Sequence, residues 1–124
     1  MNTLLQKKIN LLIHLAKADG HMDESEKHLI QEILLDAGEL PEVDWNQSTV
    51  FALDGASEIH DRERLLHWAL RLIKVDGILH ADEIAYCKAL TIKLKFKPEL
   101  IDHFSHAKLP ELNEFTRLAA GFSL

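Results

Sequence analysis

The sequence predicts an all-α fold: a compact bundle of about six or seven helices forming one domain over residues 1–124. Apolar residues recur at spacings of three and four along almost the whole chain, the period of an amphipathic helix. Glycine and proline interrupt that pattern at intervals suited to short helices joined by short loops. The two-residue alternation of a half-buried strand is missing except in stretches too short to weigh. At 124 residues the chain holds one hydrophobic core rather than two.

The first helix is expected over residues 3–18, where Leu5, Ile9, Leu12 and Ala16 form a stripe flanked by Leu4, Leu11 and Leu15. So wide a stripe implies burial on more than one side. Asp19-Gly20 interrupts it. A second helix begins near Asp23, buries Leu29, Ile30, Ile33, Leu34 and Ala37, and stops at Gly38, with Pro41 following. Residues 42–55, with Trp45, Thr49, Val50 and Leu53, fit a short helix ended by Gly55. A long helix is expected from about 58 to 75, on Ile59, Leu65, Leu66, Trp68, Ala69, Leu72, Ile73 and Val75, and Asp76-Gly77 breaks it. The next helix carries Ile84, Cys87, Leu90, Thr91 and Leu94. Pro98 and Pro110 suit the starts of two shorter helices, the last of which buries Leu112, Phe115, Leu118 and Ala119.

Hydrophobic residues make up 47% of the chain and charged residues 27%, a globular balance. The formal charge of −6 argues against a nucleic-acid partner, which wants a basic face to neutralise phosphates. It suits a cation ligand or a basic protein surface. Cys87 is the only cysteine, so no intramolecular disulfide forms and no oxidising compartment is needed. The first residues lack the basic region, apolar run and small-residue cleavage site of a signal peptide. The longest candidate membrane segment is interrupted by Lys8, Asn10, His14 and Lys17. A cytoplasmic protein without direct membrane insertion is expected.

One pattern occurs twice. Lys17-Ala18-Asp19-Gly20-His21-Met22-Asp23-Glu24-Ser25-Glu26 aligns with Lys74-Val75-Asp76-Gly77-Ile78-Leu79-His80-Ala81-Asp82-Glu83, 57 residues later. Lys, Asp, Gly and the final Glu coincide, and apolar helical faces flank both copies, giving two pseudo-symmetric helix–Asp-Gly–helix units. Part of the pattern is helix punctuation. The glycines suit the left-handed end of a helix. Asp23 caps the following helix, with Glu26 completing a capping box. His80 occupies the same capping position with weaker chemistry, and Asp82 and Glu83 favour the positive end of their helix. Asp19 and Asp76 are different, because each is expected at a helix C-terminus, where the dipole disfavours an anion. An Asx-turn, a neighbouring lysine or a bound divalent cation would each compensate. The spacing is not that of an EF-hand, since glycine directly follows the first Asp and the Glu comes seven residues after it.

This doubled Asp-Gly motif, in an all-helical chain of this length, resembles the TerB-like family, named after a tellurite-resistance protein. The distinctive signal lies in 17–26 and 74–83, and the helical surroundings extend the likeness to roughly 5–120. The resemblance implies a compact helical domain whose acidic residues from both loops share a surface proposed to bind divalent metal. It also implies a stress-response setting and a protein partner, membrane-associated partners included. Position by position it points to Asp19, Glu26, Asp76 and Glu83 as metal ligands, with His21, Asp23, His80 and Asp82 as accessory candidates. His80 departs from the small polar or acidic residue of the first copy. The ion would be calcium, magnesium, manganese or zinc.

No catalytic residue is nominated. His60 and His67, seven apart, share a helix face near Asp61 and Glu63, and His103 and His106 lie one turn apart, yet no zinc motif accompanies either pair. Cys87 falls among Ile84, Leu90 and Thr91 on an apolar face, as a small core residue does. No phosphate-binding glycine loop is present. Lys93, Lys95 and Lys97 fit the C-terminal end of an amphipathic helix. Trp45 and Trp68 suit core anchors, and Trp45, if turned outward beside Val43 and Val50, marks a protein-binding patch. The sequence therefore favours a non-enzymatic adaptor or stress-response module whose acidic loop surface binds a divalent cation and a protein partner. The alternatives are a metal-dependent hydrolase, and a purely protein–protein interaction module whose acidic motifs are helix caps.

Overall fold

A computed structural model describes residues 3–17, 23–36, 38, 62–75 and 80–124, with residues 3–7 described by their backbone alone. Among these residues the fold is all-α. Six helices follow one another: α1 (Thr3–Ala16), α2 (Glu24–Asp36), α3 (Arg62–Lys74), α4 (Ala81–Lys93), α5 (Glu99–Ser105) and α6 (Leu112–Ala119), with a 3₁₀ turn at Ala120–Phe122. No sheet forms among them, and an isolated antiparallel bridge joins Phe96 to Ser123. No described helix is long and apolar enough to cross a membrane. The short helix expected within 42–55 and the start of the one expected from 58 lie outside the described residues.

The wide stripe of α1 has the predicted consequence: Ile9, Leu11, Leu12, Ile13, Leu15 and Ala16 are all buried, and α1 packs on α2, α3 and α4. Each buried leucine or isoleucine side chain contributes about 1.5–3 kcal/mol relative to exposure. α3 is the other central element and touches every other helix of the bundle. Its buried set, Leu65, Leu66, Ala69, Leu70, Leu72 and Ile73, leaves His67, Arg71 and Lys74 on the remaining, half-buried face. Within each repeat the two helices pack together, α1 on α2 and α3 on α4. Trp68 is half-buried against the core, with the Lys8 ammonium 5.7 Å from its ring centroid.

Helix ends follow the sequence closely in two places and depart from it in two. Gly38 ends α2 with φ +80°, donating its N–H to the Leu35 carbonyl at 3.0 Å. Pro98 stands at the N-cap of α5, where its missing N–H costs nothing. At α6 the N-cap is Glu111, one residue beyond Pro110. Within α6, Phe115 and Ala119 are buried while Leu112 is half-buried and Leu118 is 36% exposed, because the helix covers the bundle with one narrow face.

The lysine run closes α4 by a different device from the dipole contact the sequence suggests. Phe96 donates its N–H to the Thr91 carbonyl and Lys95 to that of Ile92, both at 3.0 Å, which is the hydrogen-bond pair of a Schellman motif. Lys95 takes the left-handed position of that motif, at φ 69°. The Arg62 guanidinium donates to the Leu94 carbonyl at 3.0 Å and stacks 4.1 Å from the Phe96 ring centroid. The chain end locks the same corner: Lys97 donates to the Phe122 carbonyl at 2.6 Å and Leu124 to that of Lys95 at 3.0 Å. A side chain at a left-handed residue costs roughly 1–2 kcal/mol, from which the entropy that glycine adds to the unfolded chain takes back about 0.4–1 kcal/mol. Lys95→Gly is therefore expected to raise the unfolding free energy by about 0.5–1 kcal/mol in urea denaturation, with the slope unchanged.

Candidate functional site

The start of α2 carries the capping box that its sequence encodes. The Asp23 Oδ1 accepts the Glu26 backbone N–H at 2.9 Å and the Ser25 hydroxyl at 2.7 Å, and Glu26 Oε1 accepts the Asp23 backbone N–H at 3.2 Å. These bonds satisfy donors that the first helical turn leaves without intrahelical partners. A Glu24–Lys27 ion pair at 3.6 Å lies on the solvent side.

The start of α4 has the same backbone plan without the side-chain cap. His80 is the N-cap in extended conformation, its carbonyl accepts the Ile84 N–H at 3.0 Å, and its ring makes no capping bond. Asp82 is exposed. Glu83 is not: it is 2% exposed, the same value as Glu26. Each of these glutamates is the third residue of its helix, so the two copies of the repeat bury a carboxylate at the same register.

That burial is more than a capping box asks for. A carboxylate removed from water loses hydration worth several kcal/mol unless charge or hydrogen bonds replace it. The positive end of each helix supplies part of the compensation, and both glutamates have further partners in the folded chain. The charge of Glu83 also reaches Cys87, one turn along α4: burial first, and then this neighbouring carboxylate, push the Cys87 thiol up to about 12. At pH 8 the sulfur therefore stays protonated and is enclosed. Cys87 is expected to resist iodoacetamide in the native protein and to react at an ordinary rate in denaturant, as followed by mass spectrometry.

Asp23 and Glu26 are thus brought together by direct hydrogen bonds, while Asp82 points to solvent and His80 ends its helix. Among the described residues, no group of three or more His, Cys, Asp and Glu side chains assumes an arrangement that would hold a metal ion. Asp19, His21, Asp76 and the partner-binding candidate Trp45 lie outside the described residues. So does His60, so the helix face that spacing gives it in common with His67 is described only at His67. His67 is engaged elsewhere: its Nε2 donates to the Pro110 carbonyl at 2.8 Å, and its ring lies 5.3 Å from that of Phe115. His103 stacks edge-on against Phe104 at 4.8 Å, and His106 is exposed.

Elsewhere on the molecule lies a feature that no sequence motif marks. His67, Arg71 and Lys74, spaced four and three apart, form a single face of α3 that lines a cleft of about 520 Å³ with Leu29 and Glu32 of α2 and the segment Leu109-Pro110-Glu111. The spacing is visible in the sequence, but the apolar wall opposite comes from elements far away along the chain. The chain matches no family model, no curated protein and no solved structure.

Proposed function

We propose that this protein is a non-enzymatic, TerB-like adaptor module that binds one divalent cation through the acidic positions of its two repeats. The observation that carries this reading is the burial of Glu26 and Glu83, each 2% exposed, at the same register of two helix starts. A buried carboxylate is costly, and a doubled one at a doubled Asp-Gly motif is economically explained by a shared positive ligand. In this reading Glu26 and Glu83 supply the buried oxygens, and Asp19 and Asp76 complete a hard, oxygen-rich set suited to calcium, magnesium or manganese. The protein partner of the wider adaptor role would dock on this acidic surface.

A second reading keeps the interaction role and dispenses with the ion. The hydrogen-bonded Asp23–Glu26 capping box favours it, since that pair already has a structural use. Calorimetric titration of metal-stripped protein with calcium, magnesium, manganese and zinc separates the two. The cation-binding reading expects saturable binding near one ion per chain. It also expects binding to be weakened by at least about tenfold in Glu26→Gln plus Glu83→Gln, with helicity by circular dichroism unchanged. Absence of heat from all four ions leaves the carboxylates as caps and overturns the cation reading.

A further inference from the structure

We propose that the cleft between α2, α3 and the α5–α6 connection is a binding site for a small amphipathic monocarboxylate, a role independent of the cation reading. Its volume of about 520 Å³ falls within the range of small-molecule sites. The walls are Leu29, Val75, Leu109 and Pro110, a surface for a short alkyl or aryl body.

The polar groups are arranged for one anionic head. His67 donates to the Pro110 carbonyl and Lys74 Nζ to the Ala107 carbonyl, so the two ends of the α3 face pin the connection that forms the far wall. Arg71 lies between them on the same face, one turn from each. It is half-buried, and it makes no hydrogen bond or ion pair with any described residue. A guanidinium held in partly apolar surroundings without an acceptor is suited to a planar, bidentate carboxylate. Burial, opposed by the Pro110 bond and aided by Arg71, holds the His67 imidazole below its ordinary pKa, so at neutral pH the ring serves as a neutral strut.

The two acidic residues of the cleft set the charge of the ligand. Glu32 and Glu111 are exposed at the rim, while Arg71 and Lys74 are half-buried. A single negative charge at Arg71 meets less repulsion from these carboxylates than a phosphate dianion in the same space does. The tail, in turn, gains from apolar walls that a bare anion would leave wet.

The test uses octanoate as probe, kept below micellar concentrations, with acetate as the head alone and 1-octanol as the tail alone. Amide chemical shifts of the labelled protein are followed. Octanoate is expected to bind saturably, moving signals of Leu29, Arg71, Val75 and Leu109, and to bind at least about tenfold more tightly than either fragment. Arg71→Gln is expected to weaken octanoate by about tenfold with signal dispersion retained, and Arg71→Lys, which keeps charge but loses the fork, by an intermediate factor. The proposal is overturned if octanoate gives no saturable shift or its shifts map elsewhere. It is equally overturned by 1-octanol binding as tightly as octanoate, or by unchanged affinity in both Arg71 variants.

Discussion

Phe104→Ala is expected to lower the unfolding free energy by about 3–5 kcal/mol, read as a fall in the urea midpoint with little change in slope. Phe104 is 1% exposed on the inner side of α5, with ring centroids 4.9 Å from Phe115 and 6.5 Å from Phe122. It therefore joins α5, α6 and the C-terminal 3₁₀ turn in one aromatic cluster. Truncation removes the ring that faces both other phenylalanines of the cluster, and these are fixed on two separate elements, so the space cannot close by a simple shift. A domain of this size has roughly 5–15 kcal/mol of stability in all, so the loss is a large share of it. His103→Ala is the control. His103 touches the outer edge of the same cluster but is exposed, and its removal is expected to cost less than about 1 kcal/mol.

The second large effect concerns metal removal. If the folded chain binds a cation that the unfolded chain does not, a free concentration one hundred times the dissociation constant adds about 2.7 kcal/mol of stability. For a 124-residue domain that corresponds to a rise in melting temperature of roughly 10 °C, reversed by excess chelator. Glu26→Gln plus Glu83→Gln, with binding weakened at least about tenfold, should keep no more than about half of that rise at the same ion concentration. The amide retains the shape of each side chain, but the helix starts lose a charge–dipole contribution of about 0.3–1 kcal/mol each together with the charge offered to the further partners of both glutamates. Circular dichroism of the double variant checks that it remains folded, so that the reduced ion-dependent shift is attributable to the carboxylates.

Much of the fold is written in local periodicity. The buried faces of α1, α2 and α4 follow spacings of three and four, and Gly38 and the Asp23–Glu26 box end and start α2 as short-range chemistry requires. What local pattern misses is set by partners distant in the chain. Leu118 reads as a core position by spacing, yet α6 packs with one narrow face and leaves it exposed. Lys95 reads as one of three similar lysines, whereas the closure of α4 by Phe96 and the C-terminal strand-like contact forces it alone into a left-handed conformation. At the candidate site, the repeat identifies Glu26 and Glu83 as equivalent, but their nearly complete burial belongs to the packed fold and not to local spacing. The α3 cleft is harder still to read in advance: Arg71 and Lys74 look like ordinary basic residues near a helix end until Leu109 and Pro110 close the opposite wall.

Paramagnetic broadening by manganese tests the shared-cation claim most directly, because it locates the ion without any substitution. Substoichiometric manganese added to the metal-stripped, labelled protein is predicted to broaden the amides of residues 23–27 and of residues 80–84 together, with magnesium or calcium in excess restoring them. Broadening confined to one helix start, or spread over exposed acidic residues such as Glu114 and Asp102 without preference for either repeat, would contradict a cation shared by the two units.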